Sequence, residues 1–204
     1  MVVVCCVACE LPTPVDTDAG VLPPDSGQAH ETDAGVRDAG FPSECEGTCR
    51  ETTLNARLGD DEAPLDRVQF GFTSPERSAR GRWEVYLEAH AGGDPACPVE
   101  TSPTPDRTVV IGGVTIPADA TPQTRDGGLS LVMLDFNGAL TDEPLIRADT
   151  VTLTPSSAKL CPECVLDGGA PGDMFFAFEL TAAFSDGGIQ GHGFAEYCPS
   201  LDDL

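Results

Sequence analysis

The chain has 204 residues with 34 acidic and 11 basic side chains, a net charge of −23, and it contains nine cysteines, 22 glycines and 18 prolines. This length fits one domain with appendages, and so strong a negative charge repels phosphate backbones, so no nucleic-acid partner is expected. No run of 18 apolar residues occurs, and the sequence therefore predicts no complete transmembrane helix.

The first nine residues are uniformly apolar and stop at Glu10. An export signal has a basic start and an apolar core of about 7–15 residues. Because the core here is short and lacks the basic start, we interpret residues 1–9 as the remnant of a longer signal peptide, with a misplaced start codon as the simplest explanation. The alternative is a buried β-strand that opens the domain.

The end of this apolar core, Cys6-Val7-Ala8-Cys9, resembles the lipobox of bacterial lipoproteins. In that family a small residue precedes a cysteine that receives a diacylglycerol, is exposed by signal peptidase and is then N-acylated. Ala8 and Cys9 match these positions, whereas Cys6 stands where the family usually has leucine. The resemblance implies lipidation at Cys9 and a place in the cell envelope of a Gram-negative-type bacterium, on the periplasmic or outer-surface side.

Residues 10–43 hold seven acids, one arginine, five prolines and one aromatic residue, Phe41. The motif Thr-Asp-Ala-Gly-Val occurs at 17–21 and again at 32–36. Such low-complexity composition offers little apolar surface to offset the entropy of ordering, and it predicts a disordered tether. The Asp residues could suggest calcium, but the Gly-Gly-x-Gly-x-Asp runs of calcium-binding β-helices do not occur. As a flexible coil, the tether would span about 30–35 Å.

Residues 44–204 carry the remaining −17 of the charge and show the period-two alternation of half-buried strands. Trp83–His90 and Val68–Phe72 alternate in this way, and Met174–Ser185 places its apolar side chains on one side of a strand rather than of a helix. Further strands are predicted at 52–58, 107–116, 129–136, 149–154 and 189–197.

Turn sequences separate these segments, and each Asp-Gly-Gly can supply the positive φ of a tight turn; they lie at 126–128, 167–169 and 186–188. Eight short strands with such turns predict an all-β fold, an antiparallel β-sandwich or barrel-like domain of about eight strands, preceded by a disordered tether. The predicted organisation is therefore a signal-peptide remnant at 1–9, the tether at 10–43 and a β domain at 44–204.

The β domain has six cysteines, an even number that predicts three disulfides in an exported chain; they are Cys45, Cys49, Cys97, Cys161, Cys164 and Cys198. Their connectivity is open among 15 pairings. The two closely spaced pairs would also suit four zinc ligands, but the expected oxidising location favours disulfides. Cys161-Pro-Glu-Cys164 superficially resembles a thioredoxin-type redox motif, yet the Gly- and Pro-rich segment after it is not expected to start the helix that would acidify a thiol.

The three histidines, His30, His90 and His192, belong to no metalloprotease, nucleophile-elbow, phosphate-loop or EF-hand motif. No catalytic residue, metal or cofactor is therefore predicted. His192 is the most interesting, because Gly191 and Gly193 beside it would let a ligand approach the backbone. The alternative is an ordinary exposed histidine in a sheet.

Glu84 and Glu88 share one face of a predicted strand but would be roughly 13 Å apart. A glycosidase needs two carboxyls about 5–9.5 Å apart, so this pair does not suffice, although carboxylates from separate strands could converge. Tyr86 lies between them and could stack on a sugar ring or be an ordinary cross-strand aromatic residue.

These features predict an exported, lipid-anchored protein with a non-enzymatic binding or structural role. It would meet the membrane only through its lipid, and a protein or glycan partner remains unidentified. The alternative is a carbohydrate-active or other hydrolytic β-sandwich enzyme with carboxylates from separate strands. A cleft with two close carboxyls would favour the enzyme, and a flat or convex acidic surface would favour the binding protein.

Overall fold

The computed structural model describes residues 41–204. The predictions for the signal-peptide remnant, for Cys9 and for all but the last three residues of the tether lie outside the described residues. The described chain forms eleven strands: β1 (Leu54–Leu58), β2 (Asp61–Leu65), β3 (Arg67–Thr73), β4 (Glu84–Ala91), β5 (Arg107–Thr115), β6 (Gln123–Thr124), β7 (Ser130–Asp135), β8 (Leu145–Arg147), β9 (Thr150–Lys159), β10 (Phe175–Phe184) and β11 (Gly187–Tyr197). It also contains one short helix, α1 (Pro162–Leu166), and three 3₁₀ turns at Gly47–Arg50, Arg125–Gly127 and Pro199–Leu201.

The all-β class is confirmed, and each of the eight predicted strands is present. The three strands that were not predicted, β2, β6 and β8, have only two to five residues each. The two or three residues of β6 and β8 are too few to show a period-two pattern. β2 carries two acids and a proline, which are uncommon in strands.

All strands belong to one sheet in the order β6-β9-β10-β11-β3-β4-β5-β7-β8, and the β1–β2 hairpin attaches beside β11. Every pair is antiparallel except β3 with β11, which run parallel. The sheet curls on itself into a half-barrel. Of the two predicted architectures, the barrel-like one is therefore the one that forms.

Curling depends on a strand that changes partners. Only Ala148 and Asp149 separate β8 from β9. The Ala148 N–H donates to the Leu131 carbonyl on β7 at 3.0 Å, and the Asp149 N–H donates to the Ala183 carbonyl on β10 at 2.7 Å. The chain from β8 to β9 therefore changes its hydrogen-bond partner from β7 to β10. Strands β7 and β10, which are far apart in the sheet order, are brought together in this way.

The concave side of the sheet holds the core. Its largest fully buried side chains come from β1, β3, β4, β5, β7, β9 and β10 and their flanks, and include Phe70, Phe72, Leu87, Ile111, Met133, Leu153, Phe176 and Phe178. Full burial of one such side chain stabilises the fold by about 1.5–3 kcal/mol. Trp83 packs against this core, and its ring lies edge-on to Phe72 with 6.2 Å between centroids.

The N-terminal part of the described chain covers the convex side of β9. The Ser157 hydroxyl donates to the carbonyls of Pro42 at 2.9 Å and Glu44 at 2.8 Å, and the Ala158 N–H donates to Pro42 at 2.9 Å. Phe41 packs against the core cluster. The packed chain thus includes residues 41–43, which the sequence assigned to the tether.

The C-terminal residues continue the pairing along the edge of β3 beyond β11 and cover its convex face at Gly71. The Cys198 N–H donates to the Phe70 carbonyl at 2.7 Å, and the Asp203 N–H donates to the Phe72 carbonyl at 2.8 Å. Gly71 lies between these two residues, and a Cβ there would collide with the backbone of Leu201. Glycine at this position therefore allows the C-terminal chain to lie directly on the strand.

Arg80 joins the β3–β4 loop to the end of β5 and to the turn before β7. Its guanidinium donates to the carbonyls of Gly113 at 2.9 Å, Gly127 at 3.0 Å and Gly128 at 2.8 Å, and its Nε lies 3.0 Å from Glu84 Oε1. A Cβ at Gly113 or Gly128 would collide with the Arg80 side chain. This contact fixes the ends of β4, β5 and β7 relative to one another.

Candidate functional site

The six predicted cysteines form three disulfides: Cys45–Cys49, Cys97–Cys198 and Cys161–Cys164. The four thiols that could have served as zinc ligands are thus divided between two separate disulfides. Within residues 41–204, no group of three or more His, Cys, Asp or Glu side chains is placed to hold a metal ion. Disulfides are compatible with an oxidising, extracytoplasmic location.

No helix starts in the Gly- and Pro-rich segment after Cys164, but a short helix that the sequence did not predict, α1, begins inside the motif at Pro162. Proline suits the first helical position, where its missing N–H would have no intrahelical partner. The helix has only five residues, with Glu163 in its first turn and no basic residue in its last turn. Glu163 lies between the two cysteines and works against a thiolate, so the local charge does not favour a redox thiol.

His192 lies on β11 and holds the Cys45–Cys49 loop against the sheet. Its Nδ1 is 2.9 Å from Glu179 Oε1, and its Nε2 is 2.8 Å from the Cys49 carbonyl. Both partners are acceptors, so the ring makes both hydrogen bonds only when it carries a proton on each nitrogen. The side chain is therefore engaged in intramolecular contacts rather than open to a ligand.

The glycines beside His192 serve packing as well. A Cβ at Gly193 would collide with the ring of Phe178, and one at Gly191, where φ is 128°, would collide with the Thr53 carbonyl. The close approach that the sequence suggested for a ligand is used by the protein's own groups.

Tyr86, Glu88, His90 and Thr108 form a polar chain on the convex side of β4 and β5. The Tyr86 hydroxyl donates to Glu88 Oε1 at 2.8 Å, His90 Nε2 lies 3.3 Å from Glu88 Oε2, and His90 Nδ1 lies 3.0 Å from the Thr108 hydroxyl. Burial opposes ionisation of Glu88, but the hydrogen bonds from His90 and Tyr86 and the charge of His90 lower its pKa. A glycosidase acid needs a raised pKa, so Glu88 does not fit that role.

Neither carboxylate that the sequence considered for hydrolysis is free, since Glu84 pairs with Arg80 and Glu88 bonds to Tyr86 and His90. Tyr86 lies opposite Gly71 in the register of β3 and β4. Its hydroxyl is used within the protein, as expected of an ordinary cross-strand aromatic residue.

We expect the free energy of unfolding to fall as the pH rises above about 10. Burial is the largest of three causes that raise the pKa of Tyr86 above its usual 10.0. The negative charge of Glu88 and the hydrogen bond to Glu88 are the other two. Burial also raises the pKa of Tyr197, and the hydrogen bond to Asp202 and the negative charge of Asp202 raise it further. The unfolded chain therefore loses its phenolic protons at lower pH than the folded chain. The contribution of these two protons to the free energy of unfolding is fully present below pH 10 and is lost as the pH rises above it.

Urea unfolding between pH 8 and 11.5 measures this slope. The chain has only two tyrosines and one lysine, so the double variant Tyr86→Phe/Tyr197→Phe should flatten most of the alkaline limb. An equally steep limb in the double variant would show that these two phenols do not cause it.

A cavity of about 560 Å³ lies beside the core, between β8, the end of β1 and the β10–β11 turn. We call it the barrel-mouth cavity; its walls are Leu58, Leu140, Thr141, Glu143, Leu145, Ile146, Arg147, Phe184, Ser185 and Asp186. It opens where the β8–β9 run leaves β7 for β10. Because β10 ends at Phe184, β8 has β7 as its one neighbouring strand among residues 41–204. Ligand sites commonly have volumes of about 300–1,000 Å³ and occur in the mouths of barrels.

The floor of the barrel-mouth cavity is the edge of the core. Leu58, Leu140 and Phe184 belong to the buried core cluster and retain 7–8% of their surface. Leu145 on the rim is 44% exposed. The charged side chains on the wall are Glu143, Arg147 and Asp186, a net of −1. Sequence reasoning missed this site because β8 was not predicted, although Leu145-Ile146 is an apolar pair between Glu143 and Asp149.

Comparison of the chain with family models, curated proteins and solved structures finds no match. No helix in the part of the chain described by the structure is long and apolar enough to cross a membrane.

Proposed function

We propose that the chain is an exported, lipid-anchored protein of the cell envelope, on the periplasmic or outer-surface side of a Gram-negative-type bacterium, with a non-enzymatic binding role. The observation that carries the proposal is the set of three disulfides in a single β domain, which suits an oxidising compartment. The lipobox-like Ala8-Cys9 at the end of an apolar segment adds support for a lipid as the means of attachment.

The binding role is supported by the barrel-mouth cavity, which offers apolar contacts beside charged groups. The hydrolytic alternative has less support. Glu84 and Glu88 are held by intramolecular contacts, and a hydrolase would need two other carboxylates brought close together.

Detergent partitioning tests the anchor. We expect the protein expressed from the full-length gene with its upstream sequence to enter the detergent phase, and Cys9→Ala to move it to the aqueous phase. Each buried acyl CH₂ contributes about 0.8 kcal/mol, so several acyl chains resist extraction by salt. Cys5→Ala is the matched control and should leave the partitioning unchanged. Extraction of the wild-type protein by high salt, or a Cys9→Ala protein that still enters the detergent phase, would contradict the proposal.

A further inference from the structure

We infer that the barrel-mouth cavity binds an extended peptide segment of a partner protein, with alternating basic and apolar residues, as an added strand on β8. The inference rests on the proposed binding role and names the site and the kind of partner. Three observations support it: a backbone edge of β8 that no other described strand pairs with, the apolar floor beside it, and the charge of the wall and of the whole domain.

The free edge follows from the hydrogen-bond pattern of β7 and β8. The Ala148 N–H bonds to Leu131, and the Asp135 N–H bonds to the Pro144 carbonyl at 3.3 Å. In an antiparallel pair, hydrogen-bonded and non-hydrogen-bonded residue pairs alternate. Leu145 opposite Leu134 is therefore a non-hydrogen-bonded pair.

Arg147 opposite Val132 is the second such pair. In these pairs the N–H and C=O groups point away from the neighbouring strand. The two donors and two acceptors of Leu145 and Arg147 are therefore directed to the side of β8 where the cavity lies. An extended peptide backbone is the ligand that matches such a row, as in β-strand addition.

The cavity beside this edge can receive side chains of the added strand. Every second side chain of a strand points to the same face, so the apolar residues of an alternating peptide would face Leu58, Leu140 and Phe184 together. This apolar contact is the part of the interaction that salt does not screen.

Charge selects a basic partner. Glu143 and Asp186 outnumber Arg147 on the wall, and the domain as a whole carries about −17. Such a field attracts basic segments and repels acidic ones. The same repulsion works against a second copy of this chain pairing through its own β8, so a basic partner fits better than self-association.

The test uses the full chain with Cys9→Ala, in buffer without detergent, titrated with a capped hexapeptide that alternates lysine and valine. We expect binding observed by NMR shifts at 145–147 and 184–186 that weakens as salt is raised from 50 to 300 mM. A capped glutamate–valine hexapeptide should not bind. The lysine–valine peptide methylated on alternate backbone nitrogens should bind at least fivefold more weakly, since each lost hydrogen bond typically costs a factor of about two to twelve.

Leu145→Pro is the sharpest variant, because it removes a free N–H without removing a bond to β7, and proline is tolerated on edge strands in that position. This variant should bind the lysine–valine peptide about fivefold or more weakly than the parent protein. The affinity of Leu145→Val for the same peptide should stay within twofold of that of the parent. No binding, equal binding of the glutamate peptide, or self-association abolished by Leu145→Pro would each overturn the inference. Detergent partitioning of the wild-type protein is a separate measurement. A negative peptide titration therefore does not contradict the lipid anchor, and a negative partitioning experiment does not contradict peptide binding.

Discussion

Asp135→Ala is expected to lower the free energy of unfolding by about 3–5 kcal/mol, because it leaves a buried cation without its partner. Arg107 and Asp135 are 2% and 3% exposed, and Arg107 Nη2 lies 3.0 Å from Asp135 Oδ1. Asp135 Oδ2 also accepts the N–H groups of Leu140 at 2.7 Å and Thr141 at 3.1 Å. The substitution therefore removes an ion pair and releases the loop that follows β7.

Urea unfolding of four proteins checks this result. Asp142→Ala alters an exposed acid in the same loop and should change stability by less than about 0.5 kcal/mol. The double variant Arg107→Met/Asp135→Leu removes both charges and should recover much of the loss, since apolar replacements of a buried pair are often neutral. A single variant Asp135→Ala within about 1 kcal/mol of the parent protein would mean that the pair is not buried as described.

The same loop lines the barrel-mouth cavity through Leu140 and Glu143. Loss of Asp135 should therefore weaken peptide binding as well as stability, whereas the double variant should restore stability without restoring the two loop hydrogen bonds. The buried pair thus links the stability of the sheet to the shape of the proposed binding site.

The sequence predicted the strands well because their burial alternates with period two, as in β4, where Val85, Leu87 and Ala89 are buried. Asp135 lies in the predicted strand 129–136, whose other residues are mostly apolar, and the sequence offered no partner for it. Arg107 lies 28 residues away, and only the register of β5 against β7 places the two side chains together. Contacts set by sheet register cannot be derived from local pattern.

The candidate site was missed for a similar reason. The barrel-mouth cavity depends on the change of partners at Ala148–Asp149 and on the turn at Ser185–Asp186. The first lies in a short strand without a pattern, and the second was predicted as a turn with no indication of what would face it. By contrast, His192 was singled out because its glycine neighbours are conspicuous in the sequence, and those glycines prove to serve packing.

Removal of the Cys97–Cys198 disulfide by Cys97→Ala/Cys198→Ala is expected to cost about 4–5 kcal/mol, the loss expected for a cross-link that closes a loop of about 100 residues. The two cysteines are 101 positions apart in sequence, and Cys198 is fully buried. The bond joins the β4–β5 loop to the start of the C-terminal chain, which lies on β3. Its loss lets the unfolded chain expand and loosens the cover of the convex face.

The other two disulfides are the matched controls, because they close loops of only four and three positions. The chain-entropy relation gives about 2 kcal/mol for loops this short, so Cys45→Ala/Cys49→Ala and Cys161→Ala/Cys164→Ala should each cost less than half as much. Urea unfolding of the three double variants in a Cys9→Ala background provides the ranking, and peptide mapping of the unreduced protein checks each pairing. Equal losses in all three variants would contradict the role assigned to loop length, and a free thiol at Cys198 in the parent protein would contradict the pairing itself.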